Sequence, residues 1–436
     1  MRIRVGQGRL VALLLALFLV AMLAFGVAGC GGDEEATTTT GETTSDDTET
    51  TGAAEGGEIP IGFLTSYTGE LGAYGDMWFS AAKMAVDEIN AAGGVLGKQI
   101  KLYTEDDQTN VEEGVRAARK LINVNKVVAI AGPTSDVLLA VWPIAKDSKV
   151  VVSSQAAGTT KFDNMGGDYE FRTVASDSFD GRVAAQVMFE EKGYKKIALL
   201  YENDEGRKSI ANVTKQAFLD LGGEILEEVT FAPKQSTYSA ELKKIADSNP
   251  ECVWLGAGQE SATILFKDAS QRGYDWQWMV ASDIAVAEMF ELIGEDVLEG
   301  TLTEMPSADP NEPRFVEWAE RFTAEFGIEA GGGFQSNSYD QMVVLALAMV
   351  AAGETTGEGI NANYKAIASP PGELVYTFEE GAKLLAEGKE INYEGVSGPL
   401  DFDEYGNVAG SYASMVATAG EWKEIKFYPA SEFLVE

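Results

Sequence analysis

The feature that most restricts the fold of this sequence is a repeated alternation of short apolar runs with amphipathic segments. The run at 59–65 is followed at 75–90 by apolar residues that recur three and four positions apart, as on the buried face of a helix. Alternating units of this size build parallel sheets covered by helices on both faces, and two series of units predict an α/β protein with two such lobes. Strands are predicted at 59–65, 99–105, 127–131 and 150–153 in the first series, and at 196–201, 224–231, 252–255 and 276–281 in the second.

The first thirty residues have the features of a secretion signal. Three arginines precede an apolar run from Leu10 to Val27, which is followed by Ala28-Gly29-Cys30. A basic start, an apolar centre and small residues before a cleavage site are typical of signal peptides, whereas an uncleaved anchor helix is the alternative for so long a run. Small residues before a cysteine resemble the lipobox of bacterial lipoproteins. We therefore predict a lipoprotein signal peptide over 1–29 and lipidation of Cys30.

The segment 30–57 has the composition of a disordered tether. From Gly31 to Gly57 the chain contains no Lys, Arg or aromatic residue, and eight acids stand among Thr and Gly. Such a segment cannot bury enough apolar surface to fold, and as a flexible coil it would span on the order of 30 Å. We therefore expect the folded part to begin near Glu58, outside the cytoplasm, with the lipidated Cys30 anchoring the protein to the cell membrane.

Charge and composition exclude several classes of function. The 33 Lys and Arg residues against 69 Asp and Glu give a net charge of −36, which argues against nucleic acid as a partner because phosphates recruit cationic side chains. No histidine is present, so histidine-based triads and histidine-ligated zinc are excluded. With only Cys30 and Cys252 there is no disulfide framework. The acidic run 105–107 is typical of a strand end that reaches solvent, and the sequence predicts no metal and no cofactor.

Polar loops follow two adjacent strands of the first series. Residues 132–136 follow one strand and residues 155–160 follow the next. The ligand of an open parallel sheet binds beyond the carboxyl ends of its strands, where a loop of small residues can offer backbone N–H groups to a carboxylate. Helix capping by Ser135 and Thr159 is the alternative for either residue taken singly. Because two such loops lie side by side, we favour a ligand site.

Five segments of the chain are informative in combination. They are Ile61-Gly-Phe-Leu-Thr-Ser-Tyr-Thr-Gly69, Ala73-Tyr-Gly75, Ala85-Val-Asp-Glu-Ile-Asn90-Ala-Ala-Gly-Gly94, Gly132-Pro-Thr-Ser135 and Ser397-Gly-Pro-Leu-Asp-Phe-Asp403. Together they resemble one known family, the extracytoplasmic solute-binding proteins of branched-chain amino acid ABC transporters, and the resemblance covers about 58–436. It implies the type I periplasmic-binding-protein fold, in which two Rossmann-like lobes with parallel sheets are joined by a three-strand hinge and close on the ligand.

The resemblance also implies boundaries for the lobes and a set of ligand contacts. The first lobe would comprise 58–174 and 305–394, and the second 177–302 and 397–436. The acid that binds the ligand ammonium in the family corresponds by position to Ser282 or Asp283, of which only Asp283 carries a charge. The ligand-binding residues implied by position are Tyr74, Ser135, Ala156, Ala157, Gly158, Thr159 and Asp283.

Two second-lobe aromatic residues that cover the ligand in typical members of the family correspond here to Gly206 and Gly258. Their absence leaves room for a compound larger than Leu, Ile or Val, or different in shape.

The function implied is that of a substrate-binding lipoprotein of an ABC importer. It would capture an amino acid or similar small zwitterion and deliver it to the membrane permease subunits, without catalysing a reaction. A ligand-sensing lipoprotein of the same fold, which reports to a signalling partner, is the first alternative. A carboxylate-based hydrolase is the second, although no pair of acids stands out among the 69 present.

Overall fold

The first series of strands and helices forms a five-stranded parallel sheet covered by helices. The computed structural model describes residues 57–330 and 333–432. The strands are ordered β2-β1-β3-β4-β5, and every pairing between neighbours is parallel. The elements are β1 Glu58–Thr65, α1 Gly75–Ala91, β2 Gln99–Asp106, α2 Val111–Lys120, β3 Ala129–Ala131, α3 Ser135–Asp147, β4 Val151–Ser154 and β5 Glu170–Arg172.

The second series begins with a helix and builds the larger sheet. Its strands correspond closely to those predicted from the apolar runs, and its helices start directly after the strand ends. The elements are α4 Asp177–Gln186, β6 Lys196–Glu202, α5 Glu205–Asp220, β7 Glu224–Phe231, α6 Ser239–Ser248, β8 Cys252–Gly256, α7 Gln259–Gln271, β9 Gln277–Val280, α8 Glu288–Ile293, α9 Glu295–Leu298 and β10 Leu302–Pro306.

The chain then returns to the first sheet before it completes the second. The long helix α11 is buried along almost its whole length and packs against α1, which makes it the core helix of the first lobe. The remaining elements are α10 Pro313–Phe326, α11 Gln335–Ala352, α12 Gly357–Asn363, β11 Glu373–Val375, α13 Phe378–Ala386, β12 Ile391–Gly395, β13 Gly398–Pro399, β14 Tyr412–Thr418 and β15 Glu421–Tyr428.

The second sheet has seven strands in the order β15-β14-β10-β9-β8-β6-β7. Its pairings are parallel except at one edge, where β14 runs antiparallel to both β10 and β15. The two lobes with parallel sheets confirm the predicted fold class. Strand β10 stays in the second sheet as far as Pro306, which pairs with Tyr412.

The chain passes between the two sheets three times: after β5, after β10 and after β12. A buried carboxylate fixes the third passage. Asp340 on α11 accepts hydrogen bonds from the N–H groups of Val396 and Ser397, at 3.0 and 2.8 Å, and from the hydroxyl of Tyr393 at 2.8 Å. A Cβ atom at Gly395 would lie 2.2 Å from this carboxylate, which explains the glycine. Asp340 therefore ties the core helix of the first lobe to the start of the passage into the second.

No single helix in the described part of the chain is long and apolar enough to span a bilayer. The helices α11 and α12 meet that requirement only as a pair, with a bend of 99° between them.

Candidate functional site

The polar loops at the carboxyl ends of both sheets meet across a cavity between the lobes. The first lobe contributes the loops after β3 and β4, and the second contributes the loops after β6 and β9. The cavity has a volume of about 50 Å³. At roughly 10 to 15 Å³ for each water-sized group, this is less than a whole amino acid needs, so a ligand of that size enters only when the lobes part.

A carboxylate of the first lobe caps a helix of the second. Asp136, in the first turn of α3, accepts hydrogen bonds from the N–H groups of Glu205 and Gly206, at 3.0 and 3.2 Å. These groups belong to the first turn of α5, where N–H groups have no partner within the helix and where the helix dipole favours a negative charge. The hydroxyl of Thr159 adds a second bridge by donating to Glu205 at 3.1 Å.

An acid of the first lobe also caps helix α7 of the second lobe. The carboxylate of Glu70, in the first lobe, accepts the N–H and the hydroxyl of Ser261 at 3.1 and 3.2 Å, and its backbone oxygen accepts the N–H of Gln259 at 2.9 Å. Nearby, the Tyr74 hydroxyl donates to the backbone oxygen of Ser282 at 2.6 Å. Acids of the first lobe thus cap two helices of the second lobe, and these contacts hold the lobes together.

Glycine at position 258 is a requirement of this contact. A Cβ atom there would lie 2.3 Å from the Cβ of Glu70, too close for any side chain. At Gly206, by contrast, the nearest atoms to a Cβ would be 3.7 Å away or more, so space is available. The packing of Glu70 therefore explains why residue 258 has no side chain. The missing side chain at residue 206 instead leaves free volume beside the cavity.

Arg207 is the cationic group of the cavity. Its side chain is buried, its Nε lies 2.8 Å from the carboxylate of Asp283, and its Nη1 lies 3.3 Å from that of Asp204. Burial alone would lower the pKa of Arg207, but Asp283, Asp204 and two further acids raise it well above its usual value. Arg207 is therefore charged, and its Nη2 has no hydrogen-bond partner among the described residues.

A second buried arginine holds the loop after β4. Arg172 is fully buried and donates from Nη1 to the backbone oxygens of Gly158 and Thr159, at 2.8 and 3.0 Å. Its Nη2 forms an ion pair with Asp163 at 2.5 Å. The oxygen of Ala157 also accepts from Nη1, at 3.3 Å, so the N–H of Gly158 in the same trans peptide points away from Arg172, and it has no acceptor among the described residues. Arg172 acts on the cavity indirectly, as the residue that positions this loop.

Two acids of helix α4 form the floor of the cavity. Asp177 and Asp180 stand three residues apart in the first turn, which places them on one face of the helix. A Cβ atom at Gly158 would lie 1.9 Å from Oδ1 of Asp177, so a larger residue at 158 is excluded by this acid.

Burial sets the protonation of these acids. It raises the pKa of Asp177 well above its usual value, and it raises that of Asp180 to about 7. Burial likewise raises the pKa of Asp204 to about 6, although Arg207 opposes the shift, and it raises that of Asp283. Away from the cavity, burial raises the pKa of Glu170 on β5 to about 8. The folded chain thus holds several carboxyl groups that bind protons more tightly than in the unfolded state.

The structure brings the predicted site residues to one region, in different roles. Ser135, Ala156, Gly158 and Asp283 line the cavity. Ala157 lies behind it, where its N–H donates to the hydroxyl of Ser154 at 2.8 Å, while the hydroxyls of Thr159 and Tyr74 are engaged between the lobes. Ser135 accepts the N–H of Thr159 at 3.3 Å, so its own hydroxyl proton is free to be donated.

Sequence reasoning missed several functional residues. They are Glu70, Asp136, Asp177, Asp180 and Arg207. Arg207 could have been found, because it follows the carboxyl end of β6 just as Ser135 follows that of β3. The strand-end rule was applied only to the first sheet and therefore did not predict Arg207. Asp177 and Asp180 lie at the start of α4, after the first passage of the chain between the two sheets. The path of this passage brings them to the cavity, and no local pattern in the sequence predicts that path.

The fold and the cavity together define a binding protein of the two-lobed type. The sequence profile of the periplasmic binding protein family matches residues 58–420, and the chain belongs to this family. The resemblance seen in the sequence is thereby confirmed. The family consists of binding proteins that are extracytoplasmic in its known members, which supports the expectation that the chain is not an enzyme.

The relatives extend over most of the chain. A leucine-, isoleucine-, valine-, threonine- and alanine-binding protein of Pseudomonas aeruginosa is 26% identical over 302 residues, which are 69% of this chain and 80% of the relative. A leucine-binding protein of Thermotoga maritima has a similar structure, with a TM-score of 0.74 at 22% identity, covering 86% of this chain and 99% of its own. A solute-binding protein of R. palustris in complex with benzoate gives 0.70 at 18% identity, with 85% and 97% covered.

The buried acids predict an unusual dependence of stability on pH. Their folded-state pKa values of about 6, 7 and 8, at Asp204, Asp180 and Glu170, lie above the unfolded values near 4. The stabilisation from binding their protons is therefore fully present below about pH 4 and is lost as the pH rises towards 8. No histidine is present to titrate in this interval, and the pKa values of Asp283, Glu202 and Glu70 are raised in the same direction by burial. We expect the melting temperature of the ligand-free protein to fall between pH 5.5 and 8.

Scanning calorimetry at several pH values checks this expectation. Glu170→Gln should flatten the upper part of the fall, because it removes the group that titrates near 8. Glu358→Gln is the matched control, since Glu358 is exposed and its pKa is lowered by Lys149. A melting temperature that is constant or rises from pH 5.5 to 8 would contradict the burial of ionisable acids described above.

Proposed function

We propose that this chain is the substrate-binding component of an ABC importer, and that it captures an amino acid or similar small zwitterion between its lobes for delivery to membrane permease subunits. The observation that carries the proposal is a cavity closed by both lobes and lined by buried groups of both signs. Arg207 offers a cation with a free Nη2, and Asp177 and Asp180 offer carboxylate oxygens. A zwitterion satisfies both kinds of group, whereas a simple acid or a simple amine satisfies only one.

The names of the relatives support an amino acid as the ligand. The P. aeruginosa protein is described as binding four aliphatic amino acids and threonine, and the T. maritima protein as binding leucine. The R. palustris structure holds benzoate, so a carboxylate is the feature common to these ligands. We accordingly expect a carboxylate in the ligand of this chain, beside the donors of the first lobe.

We assign the ligand contacts to the residues implied by the resemblance. In the closed arrangement some of them bridge the lobes, and opening frees the hydroxyls of Tyr74 and Thr159. The hydroxyl of Ser135 and the N–H of Gly158 supply donors for the ligand carboxylate. The proposed contacts are Tyr74, Ser135, Ala156, Ala157, Gly158, Thr159 and Asp283.

Removal of the Ser135 hydroxyl tests the proposal. A panel of amino acids is first screened by thermal shift on the full-length protein, and the tightest one is titrated by calorimetry. Ser135→Ala should weaken its binding by about 1 to 3 kcal/mol, the cost of one hydrogen bond to a charged group. Ser148→Ala, at the other end of α3, is the control and should leave binding unchanged, because its hydroxyl only meets the oxygen of Ile144. If no amino acid binds, the proposed function is wrong.

The proposal includes an anchor at the cell membrane. The signal peptide 1–29, the lipidation site Cys30 and almost all of the tether 30–57 lie outside the described residues, and the sequence alone supports them. A single acyl chain holds a protein only marginally, while two or three hold it stably. A lipidated Cys30 would therefore keep the binding lobes near the permease.

Exchange of the acceptor thiol tests the anchor. Cys30→Ser should give a protein that is not acylated and that leaves the detergent phase in a phase-partition assay, because only a thiol accepts the diacylglycerol. Cys252→Ala is the control, since that thiol is buried in β8 and should not affect partition. Equal partition of the Cys30→Ser protein and the wild type into detergent would refute lipidation at this site.

A further inference from the structure

Two acids that line the cavity each have one carboxylate oxygen without a hydrogen-bond donor among the described residues. Asp177 and Asp180 are 6% and 4% exposed, and both line the cavity. Oδ2 of Asp177 and Oδ1 of Asp180 accept no hydrogen bond from any described residue. Leaving a buried carboxylate oxygen without a donor costs more than leaving a neutral group without one. These two oxygens are therefore positions where a bound compound would supply N–H donors.

The other charged groups of the cavity are already engaged. Asp136 caps helix α5, and Asp283 is paired with Arg207. Asp177 and Asp180 take part in no ion pair with the described Lys and Arg residues. The acid expected to receive the ligand ammonium, Asp283, thus already has a cation at 2.8 Å. The charge of Arg172 opposes the rise that burial causes in the pKa of Asp177, but neither Asp177 nor Asp180 forms an ion pair with a described residue.

The surroundings of Asp180 add a third carboxyl group. Glu304, on β10, is fully buried beside Asp180; their interaction raises the pKa of Glu304 and opposes the rise that burial causes in the pKa of Asp180. Burial, followed by the charge of Asp180, raises the pKa of Glu304 well above its usual value. A ligand cation placed against Asp180 would offset the charge of both groups, which a neutral side chain cannot do.

From this arrangement we propose that the ligand is an amino acid with a cationic side chain, and that Asp180 is the residue that selects it. The inference rests on the proposed function, since it concerns the same cavity. The α-ammonium of the ligand meets Asp177, beside Gly158, and the side-chain cation meets Asp180. The α-carboxylate meets the hydroxyl of Ser135 and the free Nη2 of Arg207.

Charge counting favours such a ligand over a plain aliphatic amino acid. Without a ligand, Asp177 and Asp180 face the cavity with two potential negative charges, and the one positive charge of Arg207 is already shared by Asp283 and Asp204. An aliphatic amino acid adds no net charge, so the two acids stay uncompensated. A basic amino acid adds one positive charge and supplies a donor to each unpartnered oxygen.

The proposal is tested with two probes that differ by one charged group. L-lysine and L-norleucine share the same α-carbon groups and the same chain of methylenes, and only lysine carries the terminal ammonium. Calorimetry on the full-length wild type should give lysine an affinity about tenfold or more above that of norleucine, since a buried charge pair is worth at least this much. This comparison does not depend on any variant.

A variant then assigns the preference to one residue. Asp180→Asn should lower the affinity for lysine by about tenfold or more and change that for norleucine by less than about threefold. Asp168→Asn is the matched control, because Asp168 is exposed and paired with Lys146 on the outer surface, and it should change neither affinity. Melting temperatures of both variants show whether the fold is retained.

Two results would overturn the inference. Norleucine that binds as tightly as lysine to the wild type, or Asp180→Asn that weakens both probes equally, would show that Asp180 does not select a side-chain cation. In both cases an amino acid still binds, so the proposed function stands. If neither these probes nor any other amino acid binds, the inference and the proposed function fail together.

Discussion

The interaction on which the rest of the structure depends is the capping of second-lobe helices by first-lobe acids. Asp136 accepts the N–H groups that begin α5, and Glu70 accepts those that begin α7. Each contact joins a negative charge to the positive end of a helix dipole, and each is possible only when the lobes meet. Free N–H groups at a helix start can bind water instead, so the closed and open arrangements differ by exchange of these caps for solvent. A few directional contacts of this kind suit a cleft that must both close and reopen.

Closure has an electrostatic consequence. Among the described residues that line the cavity, Asp177, Asp180 and Asp283 surround one cation, Arg207, and Asp204 lies beside that cation, in a chain whose net charge is already −36. Burial raises the pKa of these acids. Protonation of the acids therefore stabilises the closed cleft without a ligand, and their ionisation destabilises it. A ligand that carries cationic groups would take the place of those protons. The affinity of the cleft and its closure would then have the same physical origin.

The sequence predicted the architecture well and the site only in part. Alternating apolar runs and amphipathic segments are local features, so the strands and helices of both lobes could be read directly, and Ser135 was found because it follows a strand end. The antiparallel pairing of β14 with β10 joins segments about a hundred residues apart, so no local pattern predicts it. Gly158 shows why the site could be predicted only in part. Asp177, nineteen residues further along the chain, leaves no space for a side chain at position 158. The position of Asp177 depends on the passage of the chain between the sheets, which the sequence does not reveal.

The central claim is that ligand binding and the two cross-lobe caps hold the lobes closed. The distance between spin labels at Val124→Cys and Leu219→Cys tests it directly, because both sites are exposed and they lie in different lobes, while the native Cys252 is buried. With the bound amino acid, we expect one short distance in the wild type. Glu70→Gln combined with Asp136→Asn should add a longer distance without ligand, which the ligand should suppress. A single distance that is the same in all four samples would contradict the account.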